Sequence, residues 1–256
     1  MNNIALRLRY DGANYHGWQR QKRDITVQET LETALSKLYK QEIHAIGCGR
    51  TDAGVHARLY CANFRTDGKI PMEKLPLAVN ALLPPDIVVT GACQVEEDFH
   101  AVFSCLRKEY TYYIRSGGFR DPFERDRVWY RPEALDLQRM QAAADSFLGT
   151  HDFSAVRSVG TNVKTTVRTV YDFEISRDGP IYAFRIAANG FLYNMARAMV
   201  GTVLYVSLGK LEPEEILPIL ESGDRCLAGP TVPPQGLYMT GLRYDGPAGL
   251  LVNGAE

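Results

Sequence analysis

The sequence predicts an α+β protein with mainly antiparallel, mixed sheets flanked by helices, and three observations support this prediction. Apolar and polar residues alternate with a period of two in several segments, as in strands with one buried face. Apolar residues at helical spacing mark other segments, and the order of the two kinds does not follow the strict β-α-β repetition of a parallel sheet. With 256 residues, of which 45% are hydrophobic, the chain has enough apolar material for one large domain or two ordinary ones.

The first half of the chain predicts four strands and two helices. Residues 4–10 alternate, and an Asp-Gly pair ends this strand. Thr26 and Glu29 form a capping box before apolar residues at helical spacing, and Pro71 opens a second helix that a pair of prolines stops. The other strands predicted in this half cover residues 43–48, 59–65 and 87–95.

The second half repeats this mixture, which suggests two related subdomains, although no clear repeat of sequence accompanies it. We expect the boundary near residue 106, with one subdomain at residues 1–106 and the other at 107–256. The strands predicted here cover residues 108–115, 167–175, 181–188 and 237–244, and the helices cover 137–148 and 191–208 and a segment after Pro213.

Charge and cysteine content limit the classes of function. The chain has 29 basic and 30 acidic side chains, so it does not find its partner by bulk positive charge, although a local basic cleft stays possible. Five cysteines without a C-x-x-C pair predict reduced thiols in a cytoplasmic protein. Arg7 and Arg9 interrupt the N-terminal apolar run, and three prolines interrupt the longest uncharged stretch. We therefore expect no signal peptide and no membrane span.

Neither a nucleotide cofactor nor a metal ion is expected. Gly47 and Gly49 begin like a dinucleotide fingerprint, but Asp52 stands where its third glycine belongs, and the chain has no P-loop motif. The five histidines show no H-x-x-x-H spacing, and no cysteine pair accompanies them.

The densest polar segment between two apolar strands is residues 49–57, with the sequence GRTDAGVHA. Its single carboxylate, Asp52, lies two residues after Arg50 and four before His56. One interpretation is a turn in which the aspartate binds nearby backbone N–H groups. The other is a nucleophilic or proton-transferring aspartate that a guanidinium keeps ionised. Spacing alone leaves both open.

Basic and aromatic residues are interleaved in two stretches. Residues 1–23 contain five cations and one acid, and residues 107–131 contain seven cations and four acids, each with several aromatic rings. Cations bind phosphates and flat rings stack on unpaired bases, so the pattern is typical of RNA binding. The alternative is that most of the rings belong to the core and most of the cations are solvated.

Five groups of motifs, taken in order, resemble the tRNA pseudouridine synthase A family. They extend from residue 10 to residue 238, so the resemblance covers nearly the whole chain, and RTDAGVHA is its most specific part. The motifs are YDG with GWQRQ within 10–21, GRTDAGVHA at 49–57, FHA and KEYTY within 99–112, FLYNMAR at 191–197, and AGP and GLY within 228–238.

The resemblance implies roles for four residues. Asp52 matches the catalytic aspartate of the family, and Tyr110 matches the tyrosine that stacks on the target uracil. Arg197 matches the arginine that pairs with the aspartate, and Arg50 matches the basic residue that holds the flipped nucleotide. Two departures from the family pattern, Tyr15 and Ala196, leave this set intact and affect only details of RNA contact.

The resemblance also implies the reaction and the partner. The family isomerises uridine to pseudouridine at positions 38, 39 and 40 of the anticodon stem-loop of tRNA, by base flipping and without a cofactor. It works as a cytoplasmic homodimer whose active-site cleft lies between the two subdomains of each chain. Two rivals stay open from the residues alone, namely a non-catalytic RNA-binding module and an aspartate-dependent hydrolase of small glycosides. The latter usually needs a second carboxylate.

Overall fold

The computed structural model describes residues 1–160 and 163–253, which divide into two compact units. The first unit is Met1–Lys108 together with the segment that begins at Tyr238, and the second unit is Glu109–Leu237. The sequence-based division at residues 1–106 and 107–256 is continuous along the chain. In the structure the C-terminal segment belongs with the N-terminal half.

The described elements follow the chain in a mixed order. The strands are β1 (Asn2–Tyr10), β2 (Ala45–Gly47), β3 (His56–Thr66), β4 (Ile87–Val95), β5 (Arg107–Ser116), β6 (Trp129–Arg131), β7 (Gly149–Asp152), β8 (Val167–Asp178), β9 (Ile181–Ala188) and β10 (Leu237–Arg243). The helices are α1 (Val27–Tyr39), α2 (Leu75–Asn80), α3 (Leu137–Asp145), α4 (Met195–Ser207), α5 (Ile216–Ser222) and α6 (Gly246–Val252). The predicted α+β class with mainly antiparallel pairing is confirmed.

The sheet of the first unit brings the end of β1 beside the start of β3. Its strand order is β4-β1-β3-β10, and β2 pairs with β3. β1 is antiparallel to β3 and β4, whereas β10 is parallel to β3. Tyr10, the last residue of β1, is paired with Ala57. The segment that follows β1 and the loop that precedes β3 therefore lie at the same end of these two neighbouring strands.

Helix α1 shows how local sequence determines an element of this unit. The Thr26 hydroxyl accepts a hydrogen bond from the Glu29 N–H at 3.3 Å, which confirms the predicted N-cap. Leu31 and Leu35, one turn apart, are fully buried. Lys40 ends the helix in the left-handed conformation, which is common at helix C-termini.

The second unit contains a sheet with the order β5-β9-β8-β7, in which β6 pairs with β5. Helix α3 packs on α4 and β8. Helix α4 has few exposed positions, and at Gly201 a Cβ would lie 1.8 Å from the Pro230 carbonyl oxygen. Only glycine permits this approach, which fixes the chain around Pro230 against α4.

Several sequence-based boundaries need correction. The helix predicted at residues 191–208 begins at Met195, because Asn194 has a left-handed backbone. The helix predicted to reach residue 148 ends at Asp145, and Gly149 opens strand β7 instead. Strand β6 and helix α6 were not predicted. None of the described helices has the length and apolar character that crossing a membrane requires.

Candidate active site

The loop between β2 and β3 holds the aspartate that the sequence singles out. Asp52 is half-buried, whereas the side chain of Arg50 is exposed. The Val55 N–H donates to the Asp52 carbonyl oxygen at 3.1 Å, and Thr51 before it is buried. The loop is therefore a folded turn that presents one partly accessible carboxylate.

Hydrogen bonds fix this loop to the segment that follows β1. The Trp18 N–H donates to the Thr51 carbonyl oxygen and the Gly54 N–H donates to the Tyr15 carbonyl oxygen, both at 3.1 Å. The hydroxyl groups of Tyr10 and Thr51 are hydrogen-bonded at 2.9 Å. Bonds on both sides of Asp52 thus hold its backbone in one place.

The aromatic rings of the first basic stretch belong to the core. Trp18 stacks on Tyr60 with ring centroids 4.3 Å apart, and Tyr10 packs edge-on against Tyr60 at 5.4 Å. The Tyr60 hydroxyl donates to the Gly49 carbonyl oxygen, and burial raises the pKa of Tyr10 well above its ordinary value. These packed rings support the loop through the hydrogen bond from Tyr60 to Gly49. Of the two alternatives for this stretch, the one in which its rings belong to the core holds for Tyr10 and Trp18, because both rings pack on Tyr60.

His56 connects the end of the loop to the turn after β1. Its Nδ1 lies 3.0 Å from the Gly12 backbone nitrogen and 3.0 Å from Asp11 Oδ1. Neutral Nδ1 would accept from Gly12, and protonated Nδ1 would donate to Asp11. The ring is 2% exposed and stacks on Tyr238 with centroids 4.6 Å apart. Tyr238 lies at the start of the C-terminal segment, which the pairing of β10 with β3 joins to the first unit.

Lys108 contacts the start of the loop, a role that the sequence did not reveal. Its ammonium donates to the Cys48 carbonyl oxygen at 2.5 Å. Burial raises the pKa of the Cys48 thiol to about 12, although the Lys108 charge opposes this shift, so the thiol stays neutral. Lys108 adds positive charge to this end of the loop.

Gly17 approaches the backbone of the loop closely beside Asp52. Its φ of +81° suits glycine, and a Cβ built there would lie 2.2 Å from the Thr51 carbonyl oxygen and 3.1 Å from the Asp52 carbonyl carbon. Any larger residue must displace the backbone that carries Asp52.

Gly17→Ala is expected to destabilise the protein by about 3 kcal/mol, because left-handed strain and the collision with Thr51 add together. Catalytic activity should fall as well, since the loop has to move. Gly179→Ala is the control, because Gly179 has a φ of +56° in a turn where a Cβ meets nothing within 4 Å. This variant should lose only about 1 kcal/mol of unfolding free energy, measured by thermal unfolding, and it should keep the catalytic rate of the wild type. Equal effects in the two variants would contradict the close-approach explanation.

Tyr110 and Arg197 belong to the second unit. Tyr110 lies on β5, is 7% exposed and packs edge-on against Phe191 with ring centroids 4.9 Å apart. Arg197 lies in the first turn of α4, where its Nε donates to the Val232 carbonyl oxygen at 2.7 Å and its Nη1 donates to Asn194 Oδ1 at 2.8 Å. Both side chains are held firmly by neighbours within their own unit.

Two cations lie at the aspartate loop, namely Arg50 within it and Lys108 at its start. Clustered metal ligands are not found in the described parts of the chain. No group of three histidine, cysteine, aspartate or glutamate side chains within residues 1–160 and 163–253 is arranged to hold a metal ion. The loop therefore offers one partly accessible carboxylate, that of Asp52, on a backbone that hydrogen bonds hold in place.

The comparisons with known proteins identify the family of this chain. The sequence profile described as tRNA pseudouridine synthase matches residues 8–104 and 143–245. The chain is 48% identical over 244 residues to tRNA pseudouridine synthase A of Thermoanaerobacter sp. (strain X514), a match that covers 95% of this chain and 100% of the relative. It is 46% identical over 244 residues to the protein of the same name from Acetivibrio thermocellus, with the same coverage.

The chain belongs to the tRNA pseudouridine synthase family, and it is an isomerase of that family. A chain in the crystal structure of the archaeal box H/ACA sRNP Nop10-Cbf5 complex is also similar, with a TM-score of 0.33 and 16% identity. That match covers 77% of this chain and 43% of the other.

Proposed function

We propose that this enzyme converts uridine to pseudouridine in the anticodon stem-loop of tRNA, at positions 38, 39 and 40, with Asp52 as the essential catalytic residue. The observation that carries the proposal is the position of Asp52. It is the half-buried carboxylate of a loop that backbone hydrogen bonds fix on both sides, in a chain of this family.

The reaction explains why one carboxylate suffices. The bond from ribose C1′ to uracil N1 breaks, the base turns, and C1′ bonds to C5, which loses its proton while N1 gains one. No electrons are exchanged with another molecule and no group is added, so the reaction requires no cofactor. Ionised Asp52 starts the reaction by attacking C1′, by attacking uracil C6 or by removing the C2′ proton, and the three routes share this requirement for a carboxylate.

Tyr110, Arg50 and Arg197 have separate tasks in this proposal. A base inside folded RNA has to be extruded, which costs a few kcal/mol, and a ring that stacks on the base offsets part of that cost. Tyr110 supplies that ring, and its packing on Phe191 keeps the ring rigid. Arg50 is exposed and holds the flipped nucleotide through its phosphate, while Arg197 pairs with Asp52 and compensates its negative charge.

The remaining parts of the proposal concern assembly and location. The enzyme acts as a homodimer in the cytoplasm, and one tRNA extends over both subunits. The formal net charge of −1 per chain is compatible with RNA binding when two local basic surfaces share one substrate. The mass of the enzyme in solution, measured by light scattering, should be twice that of one chain.

Tyr110→Phe is expected to bind tRNA normally and to slow the chemical step by about tenfold, because stacking survives and the hydroxyl is lost. The control is Tyr112→Phe on the same strand, whose hydroxyl donates to the Pro233 carbonyl oxygen at 2.7 Å. That variant should lose about 1 kcal/mol of stability and keep its rate. Single-turnover rates of the two variants distinguish a role of the Tyr110 hydroxyl in the chemical step from stacking alone. If Tyr110→Phe is fully active, Tyr110 only stacks on the base.

The proposal as a whole is tested with a tRNA transcript that carries tritium at uridine C5. Release of tritium to water is expected, because C5 loses its hydrogen when it bonds to C1′. A second transcript with cytidine at positions 38, 39 and 40 should release none. Tight binding without release from the first transcript would instead identify an RNA-binding module, and release from the second would place the target outside the anticodon stem-loop.

A further inference from the structure

Asn194 has an unusual backbone for its position. Among residues 1–160 and 163–253, the non-glycine residues with positive φ are Lys40 and Asn194. Lys40 ends a helix, where this conformation is common, but Asn194 precedes α4 with φ 60° and ψ 7°. The residue at a helix N-cap normally has an extended backbone. A conformation that is rare there suggests that the side chain serves another purpose.

The Asn194 side chain does not make the bond that an asparagine usually makes at a helix N-cap. Such a residue normally accepts from the backbone N–H of the second or third helical residue, and this bond is missing here. Asn194 Oδ1 instead accepts from the guanidinium of the third helical residue, Arg197, at 2.8 Å. Its Nδ2 donates to Ser158 Oγ at 2.8 Å, and the Ser158 N–H donates to the Tyr193 carbonyl oxygen at 3.0 Å.

Hydrogen bonds from two different nitrogens determine how the Arg197 guanidinium is oriented. Nη1 binds Asn194, and Nε binds the Val232 carbonyl oxygen at 2.7 Å. A guanidinium is planar, so two fixed nitrogens set both its plane and its direction. Val232 is held in turn, because its N–H donates to the Arg197 carbonyl oxygen at 3.4 Å. The guanidinium is thus held by one backbone group, the Val232 carbonyl, and by one side chain, that of Asn194.

We propose that Asn194 is a positioning residue that aims the Arg197 guanidinium at Asp52 during isomerisation. This inference rests on the proposed pairing of Arg197 with Asp52. The left-handed backbone places the amide between Arg197 and Ser158, and Ser158 fixes the amide from its other end.

Asn194→Gly removes both side-chain bonds while glycine adopts the same backbone freely. The single-turnover rate at saturating tRNA should fall about tenfold, the usual effect of losing a hydrogen bond to a charged group, while tRNA binding changes less than about twofold. Ser158→Ala removes only the far bond and should slow the rate less than about threefold. Melting temperatures verify folding, and Ser158→Ala, which leaves the left-handed backbone of Asn194 unchanged, serves as the second variant if the glycine variant folds poorly.

A double-mutant cycle with Arg197→Ala separates positioning from a general structural role. If Asn194 acts through Arg197, Asn194→Gly should change the rate less than about twofold in the Arg197→Ala background. A tenfold loss in both backgrounds, or no loss in the wild type, would overturn the inference. Full activity of Arg197→Ala would contradict both the proposed pairing of Arg197 with Asp52 and this inference. The proposed reaction is tested independently, by tritium release from the wild-type enzyme.

Discussion

Asp52→Asn is expected to abolish pseudouridine formation and to leave tRNA binding intact. Asparagine has the same shape, so the bonds that hold the loop, from Trp18 to Thr51 and from Gly54 to Tyr15, remain. The amide is neither a nucleophile nor a base of useful strength, and all three routes to pseudouridine begin with the carboxylate. The rate should therefore fall by more than about 10,000-fold, the effect typical of removing a nucleophile or its base.

The measurement is tritium release from C5-labelled tRNA, with binding followed separately by filter retention. Asp86→Asn is a matched control, because Asp86 is also a half-buried acid of the first unit and accepts from the Tyr15 hydroxyl at 2.6 Å. That variant should keep its rate within about threefold, since its amide oxygen still accepts from Tyr15. If Asp52→Asn keeps more than about one ten-thousandth of the wild-type rate, the chemistry belongs to another group.

The candidate site was predictable where local sequence determines its chemistry. The glycines, the cation and the carboxylate of residues 49–57 lie in one peptide, and the alternation of β1 predicts a strand without any tertiary information. Asp52 and Arg50 could therefore be singled out before the structure was known. Their roles came from the resemblance to a family rather than from spacing.

Burial and long-range contacts were not predictable, because they depend on which elements pack together. Trp18 and Tyr10 follow the same interleaved pattern as an RNA-binding surface, yet they stack around Tyr60 under the loop. Tyr238 lies more than 180 positions after His56 and packs on it only because β10 pairs with β3. Periodicity also predicts helix at Asn194, since a left-handed residue leaves no trace in an apolar pattern.

The second large effect is expected for Arg197→Ala, which should lose about 100-fold in rate. Removing one partner of a charge pair leaves the other charge uncompensated, which is worth several kcal/mol when the site is closed to water. Tritium release under single-turnover conditions measures this loss. Arg197→Lys keeps the charge but cannot contact Val232 and Asn194 together while reaching a carboxylate, so its rate should lie between those of alanine and the wild type.

Arg225→Ala is the control that distinguishes chemistry from support of the same segment. The Arg225 guanidinium also holds the chain around Val232, because it donates to the Gly229 carbonyl oxygen at 2.7 Å and to the Thr231 hydroxyl at 3.1 Å. Its loss should lower stability by about 1–2 kcal/mol and leave the single-turnover rate nearly unchanged. If Arg197→Ala and Arg225→Ala slow the reaction equally, Arg197 supports the backbone near Val232 rather than pairing with Asp52. Another cation must then compensate the charge of the aspartate, and Arg50 on its own loop is the first to test.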